Sequence, residues 1–194
     1  MVKAKKAYGQ NFLQDSYYLD QIFQAIPDTQ NIALEIGPGL GDLTEKTLIK
    51  KSVVAIEIDT DLEAKLRSRF QNEISNGKLQ LVIGDAMINW PELKQYELIA
   101  NLPYYIATPL TLQALKRSEC KSVCVLLQKE VAYRFAANAG DSDYGAISVL
   151  AAITGTRRIV CDIPPSAFVP APKIWSAFLR IDKNENRDVS FDDF

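Results

Sequence analysis

Histidine is absent from the 194 residues of this chain. This absence excludes Ser-His and Cys-His nucleophilic machinery and every metal site built on imidazole, so the chemistry must proceed without it. Cysteine is scarce, and Cys120, Cys124 and Cys161 form no Cys-x-x-Cys pair. Neither a disulfide framework nor a thiolate metal site is therefore indicated. We expect no metal, and reduced, buried thiols in a cytoplasmic protein.

Long apolar runs are also lacking, and none approaches the length that crosses a bilayer. Residues 1–10 are basic but have no apolar core or cleavage site of a secretory signal. A hydrophobic fraction of 47% with 24% charged residues is typical of one soluble globular domain. The net charge of -2 would not attract a polyanion, so nucleic-acid binding would need local basic patches.

Segments rich in Val, Ile and Leu alternate with amphipathic segments, which predicts an α/β fold with a mostly parallel sheet and helices on both faces. Strands are expected at residues 31–36, 53–58, 79–83, 97–101 and 122–127. Helices are expected at residues 16–26, 42–50, 61–71, 108–116, 129–137 and 144–154. Two late apolar runs, at 158–163 and 176–181, would add an antiparallel edge and complete a seven-stranded sheet. Because the composition then becomes polar and acidic, we expect a domain over 1–181 with a basic N-terminal arm, followed by a linker over 182–194.

A glycine-rich turn with Gly37, Gly39 and Gly41 follows the first of these strands and precedes a helix. Its Gly-x-Gly-x-Gly spacing differs from the dinucleotide fingerprint, which places its third glycine for a pyrophosphate at a helix start. The turn therefore favours a nucleoside ligand without a pyrophosphate over the dinucleotide of a nicotinamide-dependent oxidoreductase. A tight strand-to-helix turn without a ligand explains the same glycines.

Acidic residues follow the next two predicted strands. Glu57 ends the second strand, where such folds bind the hydroxyls of a ribose. Asp59 is better placed to cap the next helix. Asp85 follows the third strand and could accept a hydrogen bond from an adenine amine, although a loop cap explains it equally well. A glycine-rich turn and two acids on successive strand ends predict a bound nucleoside at that edge of the sheet.

The fourth strand ends in the tetrapeptide Asn101-Leu102-Pro103-Tyr104. It resembles the Asn/Asp-Pro-Pro-Tyr motif of amino-methyltransferases, in the form carried by the KsgA family of small-subunit ribosomal RNA adenine N6,N6-dimethyltransferases. Further stretches resemble the family in the same order, at residues 9–13, 35–39, 57–59, 128–132, 144–149 and 168–173. The resemblance extends from the basic start to about Arg180.

The resemblance implies a Rossmann-like methyltransferase that transfers methyl groups from S-adenosyl-L-methionine to adenine in ribosomal RNA. The nitrogen of the adenine amine is a poor nucleophile, because its lone pair is delocalised into the ring. The side-chain carbonyl of Asn101 and a backbone carbonyl of the extended Leu102-Pro103 segment would orient that lone pair. Tyr104 would stack on the flipped base, and Phe168 would close its other face.

The resemblance also assigns residues to the cofactor: Asn11 and Leu13 would fold over it, and Gly37, Gly39, Glu57, Asp85 and Asn101 would line its site. A cap or a polar loop residue is the alternative explanation for Asn11. A basic cluster could contact RNA phosphates. Its members are Lys3, Lys5, Lys6, Lys129, Arg134, Arg157, Arg158 and Lys173.

The expected substrate is ribosomal RNA within an immature small subunit, with the protein acting as a monomer and without a membrane. Residues 182–194 would begin the helical domain in which family members usually continue. Two alternatives share the motifs: a ribosome-assembly binding factor, and a large-subunit adenine methyltransferase of the resistance type.

Overall fold

The computed structural model describes residues 4–5 and 8–184. Its strands are β1 (Phe12–Leu13), β2 (Ile32–Ile36), β3 (Val53–Glu57), β4 (Leu79–Ile83), β5 (Tyr96–Asn101), β6 (Cys120–Gln128), β7 (Gly155–Ile163), β8 (Phe168–Val169) and β9 (Ser176–Lys183). Its α-helices are α1 (Ser16–Ala25), α2 (Asp42–Lys50), α3 (Glu63–Arg69), α4 (Gln71–Ser75), α5 (Tyr104–Lys116), α6 (Lys129–Ala136) and α7 (Ala146–Thr154). Short 3-10 turns lie at Thr60–Leu62 and Pro165–Ala167.

Seven strands form one sheet in the order β4-β3-β2-β5-β6-β9-β7. The first five of these are parallel, and β9 joins β6 and β7 through antiparallel ladders. This arrangement confirms the predicted seven-stranded α/β sheet with an antiparallel edge. The carboxyl ends of β2, β3, β4 and β5 therefore meet along one edge, where open α/β sheets bind ligands.

Hydrophobic cores lie on both faces of the sheet. Leu98 of β5 packs with Leu110 of α5 and Phe135 of α6 in one core, which α7 also covers. The next residue, Ile99, packs in the other core with Ile22 of α1, together with α2 and α3. Successive side chains of β5 thus pack into cores on opposite faces of the sheet, as expected for a strand that is buried on both faces.

The helix predicted at 108–116 begins earlier, at Tyr104. The prediction put Pro109 in the first helical turn, where a missing N–H is tolerated. Pro103 instead precedes the helix, and Pro109 lies in its second turn. The tyrosine of the tetrapeptide is consequently the first residue of a helix rather than part of a loop.

Three further features differ from the prediction. The helix expected at 61–71 is divided, because Phe70 leaves helical geometry where its ring packs against Gly41. Strand β9 continues to Lys183, so the sheet extends beyond the expected domain boundary at 181, while residues 185–194 of the expected linker lie outside the described residues. Cys161 is only half-buried, unlike Cys120 and Cys124.

None of the described helices is both long and apolar enough to span a membrane.

Candidate active site

An open pocket of about 740 Å³ lies where β2, β3, β4 and β5 end. Nine of the predicted site residues line it: Asn11, Gly37, Gly39, Glu57, Asp85, Asn101, Leu102, Pro103 and Tyr104. Four residues preceding β1 or within it also line the pocket and were not predicted: Tyr8, Gly9, Gln10 and Phe12. The N-terminal segment therefore forms one wall, and the strand ends form the other.

The glycine turn has a backbone that other residues rarely adopt. Gly37 and Gly39 have φ values of 70° and 60°, in the left-handed region. A Cβ atom on Gly39 would lie 2.8 Å from the Phe12 ring, whereas one on Gly37 would meet only Pro103 at 4.0 Å. Gly39 is thus needed for the packing of the N-terminal segment, and Gly37 leaves its side of the turn open to the pocket.

Glu57 is 3% exposed and lies at the end of β3, beside this turn. One carboxylate oxygen accepts a hydrogen bond from the backbone N–H of Gly39 at 3.0 Å, and the other accepts one from Asp59 at 2.9 Å. Burial raises the pKa of Glu57, and the two backbone hydrogen bonds oppose this rise. Because each carboxylate oxygen has a second lone pair, the group can still accept hydrogen bonds from two hydroxyls.

Asp59 caps the following 3-10 turn as predicted, accepting from the backbone N–H of Asp61 at 3.1 Å. It also binds the N-terminal segment, which the sequence did not indicate. Its two oxygens accept from Lys5 Nζ at 2.5 Å and Gln10 Nε2 at 2.9 Å, and the side chain is 1% exposed. Burial acts to raise the pKa of Asp59, but the hydrogen bonds from Lys5 and Gln10 outweigh it and lower the pKa.

Asp85 caps a local loop and also lines the pocket. Its Oδ1 atom accepts from the backbone N–H of Met87 at 2.8 Å, which is a local loop cap. The residue also lines the pocket, as do Ala86 and Asn101. Its remaining acceptor positions stay available to a ligand.

Asn101 ends β5 and uses its amide group in a defined way. Its Nδ2 atom donates to the backbone carbonyl of Asn11 at 3.0 Å. This bond fixes the orientation of the amide, so the side-chain carbonyl is the group left to accept. Asn11 in turn donates from its own Nδ2 to the carbonyl of Gly9 at 3.1 Å, so it also closes a local turn.

Tyr104 is held at the first position of α5. Its hydroxyl lies 2.6 Å from Oγ of Ser176, which begins β9 on the other side of β6. Burial raises the pKa of the Tyr104 hydroxyl, so it stays protonated at neutral pH. The next residue, Tyr105, is 62% exposed and also lines the pocket.

Two predicted residues, Leu13 and Phe168, do not line this pocket. Leu13 of β1 pairs with Phe168 of β8, and both side chains belong to the core that contains Ile99. Leu13 lines a smaller adjoining pocket of about 290 Å³, and Phe168, 2% exposed, lines neither pocket. Their predicted roles over the cofactor and the base stay predictions.

Glu35 is a site residue that the sequence analysis did not select. It lies on the otherwise apolar strand β2, lines the smaller pocket with Asn101, and is 1% exposed. Burial raises the pKa of its carboxyl to about 8, and one oxygen has no hydrogen-bond partner. An acid within a buried apolar strand is the sequence signal that could have identified it.

Among residues 4–5 and 8–184, no cluster of three or more His, Cys, Asp or Glu side chains could hold a metal.

The model of the family described as "Ribosomal RNA adenine dimethylase" matches residues 1–194. The "Ribosomal RNA small subunit methyltransferase A" of Sulfurimonas denitrificans is 46% identical over 99% of this chain and 73% of its own length. The protein of the same name from Campylobacter jejuni strain RM1221 is 45% identical over 97% of this chain and 72% of its own.

Two solved structures of RNA-modifying methyltransferases are also similar to this chain. A dimethyladenosine transferase from Plasmodium falciparum superposes with a TM-score of 0.82 at 31% identity, over 94% of this chain and 66% of that one. The 23S rRNA methyltransferase ErmE reaches 0.83 at 22% identity, over 93% and 72% of the two chains, which shows the shared fold. The chain belongs to the ribosomal RNA adenine dimethylase family.

Proposed function

We propose that this protein transfers methyl groups from S-adenosyl-L-methionine to the exocyclic amine of adenines in small-subunit ribosomal RNA, and that it forms N6,N6-dimethyladenosine. The family and the names of its relatives support this substrate over the large-subunit alternative. A cytoplasmic monomer acting on an immature small subunit belongs to the same proposal, as does a linker that follows strand β9.

The pocket fits the cofactor group by group. Glu57 has free lone pairs for the two ribose hydroxyls, and Asp85 can accept from the adenine amine of the cofactor. The unpartnered oxygen of buried Glu35 is suited to the ammonium of the methionine moiety. Gly37 leaves its side of the turn open. When bound, the cofactor supplies an electrophilic methyl group on a sulfonium.

The observation that carries the proposal is the hydrogen bond from Asn101 to Asn11. Because the bond to the N-terminal segment orients the amide, the side-chain carbonyl of Asn101 is the acceptor that remains for the substrate amine. An acceptor at this position binds an amine hydrogen and directs the nitrogen lone pair. Catalysis would then consist of positioning for in-line transfer, and the proton would pass to water.

Tyr104 is placed to hold the base. The hydrogen bond to Ser176 fixes its hydroxyl, and the ring forms part of the pocket wall next to Pro103. A flipped base can stack on such a ring. The absence of histidine from the chain agrees with chemistry that needs orientation rather than an imidazole base.

The basic cluster predicted to contact phosphates is partly occupied within the protein. Lys5, Lys129 and Arg134 form ion pairs with Asp59, Asp162 and Glu130 respectively. Arg157 donates to the carbonyl of Ala137 and to Asn138. Lys3 and Lys6 lie outside the described residues. Phosphate contacts are therefore better assigned to Arg158 and to exposed Lys173 than to the whole cluster.

The test incubates unmethylated small ribosomal subunits with the protein and S-adenosyl-L-methionine, followed by nucleoside mass spectrometry of the RNA. We expect N6,N6-dimethyladenosine with the wild-type chain, none with Asn101→Ala, and wild-type yield with Asn72→Ala, an exposed asparagine on α4. Cofactor affinity of all three is measured by calorimetry. Cofactor binding without any methylated adenine in the wild-type reaction would contradict the proposed function. Maturation of subunits by Asn101→Ala at the wild-type rate would instead favour the binding factor.

A further inference from the structure

Two aromatic rings share one lysine on the surface beside the pocket. The Nζ atom of Lys129 lies 5.4 Å from the ring centroid of Tyr133 and 5.6 Å from that of Trp175. Trp175 is 49% exposed and Tyr133 is 38% exposed. We call Lys129, Tyr133 and Trp175 the Trp175 cluster. Large aromatic surface left in water at one place on a protein commonly marks a binding site.

The Trp175 cluster is connected through Ser176 to Tyr104, the tyrosine proposed to stack on the substrate base. The backbone N–H of Lys129 donates to the carbonyl of Trp175 at 2.9 Å. The next residue, Ser176, forms the 2.6 Å contact with the Tyr104 hydroxyl. Because Ser176 pairs with Gln128 at the carboxyl end of β6, the cluster lies on the same sheet edge as Asn101. The cluster therefore lies along the same sheet edge as the pocket, on the side away from the glycine turn.

The cluster is held in place but has little free charge. Asp162 accepts hydrogen bonds from Lys129 Nζ at 2.6 Å and from the Tyr133 hydroxyl at 3.3 Å. An ammonium that is paired with a carboxylate contributes little to phosphate binding. What the cluster presents to a ligand is aromatic surface, which suits the π-face of a nucleobase.

We propose that Trp175 and Tyr133 form a stacking platform for an unpaired base of the substrate RNA, next to the adenine that enters the pocket. The proposal rests on the proposed function. An adenine that leaves its stack to reach Asn101 deprives its neighbour of a stacking partner. The Trp175 cluster supplies a replacement surface, and it accepts any base because stacking needs no hydrogen-bond readout. Exposed Lys173, two residues before Trp175, is near enough in sequence to meet the adjoining phosphate.

The experiment is a double-mutant cycle between protein and RNA. The probe is a hairpin RNA whose single-stranded loop carries one adenine between two uridines, and matched versions replace either uridine by an abasic nucleotide. Its Kd is measured with wild-type protein, Trp175→Ala and Tyr133→Ala. The control is Ile49→Ala, which removes a 63% exposed apolar side chain near the end of α2, at the opposite edge of the sheet. Thermal unfolding checks that each variant is folded.

If a base stacks on Trp175, Trp175→Ala raises the Kd on the order of tenfold with the intact RNA, and an abasic neighbour raises it similarly. The two changes together should then have no further effect, whereas Ile49→Ala should have none with either RNA. Additive losses, or an unchanged Kd for Trp175→Ala, would overturn the platform, as would failure of the wild-type protein to bind the hairpin. Weaker binding of Trp175→Ala to whole subunits but not to the hairpin would also overturn it and indicate a ribosomal protein.

Methylation is measured separately, by mass spectrometry of RNA from unmethylated small ribosomal subunits incubated with each protein and S-adenosyl-L-methionine. Coupled losses of binding without any methylation by the wild-type protein would support the platform and contradict the proposed function. Methylation by both wild-type protein and Trp175→Ala, with equal Kd values for the hairpin, would support the proposed function and contradict the platform. The two proposals can thus fail independently.

Discussion

Asp59 and Gln10 are 49 positions apart in the sequence, yet their side chains form a hydrogen bond of 2.9 Å beside the pocket. This bond, together with the bond from Lys5 to the same carboxylate, joins the N-terminal segment to the end of β3. Residues 8–12 of that segment form one wall of the pocket. Asp59 therefore fixes the position of a wall of the proposed cofactor site without lining the site itself.

Replacing Asp59 should loosen that wall. We expect Asp59→Ala to raise the Kd for S-adenosyl-L-methionine on the order of tenfold, because charge-assisted bonds to Lys5 and Gln10 are lost. Asp59→Asn should have a smaller effect, since it can still accept from Gln10. Calorimetry measures the Kd, and limited proteolysis reports release of the segment. The control is Asp61→Asn. It removes the charge of the exposed carboxylate that also pairs with Lys5 and leaves Asp59 unchanged. Equal Kd values for Asp59→Ala and the wild type would show that the clamp does not influence the site.

Glu35 should make stability depend on pH. Its pKa of about 8 in the folded chain lies above the ordinary value of 4.5, so the folded protein binds this proton more tightly than the unfolded chain. The free energy of unfolding should therefore fall as pH rises between these two values, on the order of 2 kcal/mol from about pH 6 to about pH 8. Chemical denaturation of the cofactor-free protein measures this slope.

Glu35→Gln should lose this contribution, because the amide does not ionise. We expect the variant to be more stable than the wild type near pH 8 and to show a flatter pH profile. Cofactor affinity should fall in the same variant, since the proposed partner of the ammonium is gone. A pH slope equal to that of the wild type would exclude Glu35 as its source.

Gly39 and Gly140 allow a comparison of two glycines with positive φ. Alanine at either position is strained, by roughly 1–2 kcal/mol. Only at Gly39 would the new Cβ also approach the Phe12 ring, at 2.8 Å, since nothing lies within 4 Å at Gly140. We expect both variants to lose stability in thermal unfolding, and only Gly39→Ala to bind the cofactor more weakly. If Gly140→Ala weakened cofactor binding equally, the Phe12 contact would not be the cause.

The sheet and most of the pocket could be predicted because they depend on local patterns. Apolar runs such as 79–83 have the period and length of buried strands, and the tetrapeptide at Asn101 follows such a run directly. Positions at the carboxyl ends of parallel strands then converge without further information. This is why Gly37, Glu57 and Asp85 line one pocket.

What could not be predicted depends on contacts between distant segments. The roles of Gln10 in binding Asp59 and of Asn11 in fixing Asn101 require the N-terminal segment to pass over the sheet edge, which no local period encodes. The two-residue strands β1 and β8 are too short to give an alternation. The acid in the apolar strand was a signal for Glu35, but its burial and its unpartnered oxygen depend on how the folded sheet is packed.

Substitutions of Tyr104 should distinguish the contribution of ring stacking to methyl transfer from that of the hydroxyl hydrogen bond. Tyr104→Phe keeps the ring and loses the contact with Ser176, so transfer should fall modestly, and Ser176→Ala should reproduce that loss. Tyr104→Ala removes the ring, and transfer should fall far more, roughly 5- to 160-fold if stacking contributes 1–3 kcal/mol. Single-turnover rates measure transfer, and calorimetry should give near wild-type cofactor affinity for all three variants. Parallel losses of rate and affinity in Tyr104→Ala would mean that the ring supports the fold of the pocket, because a ring that acts on the substrate base has no reason to affect the cofactor.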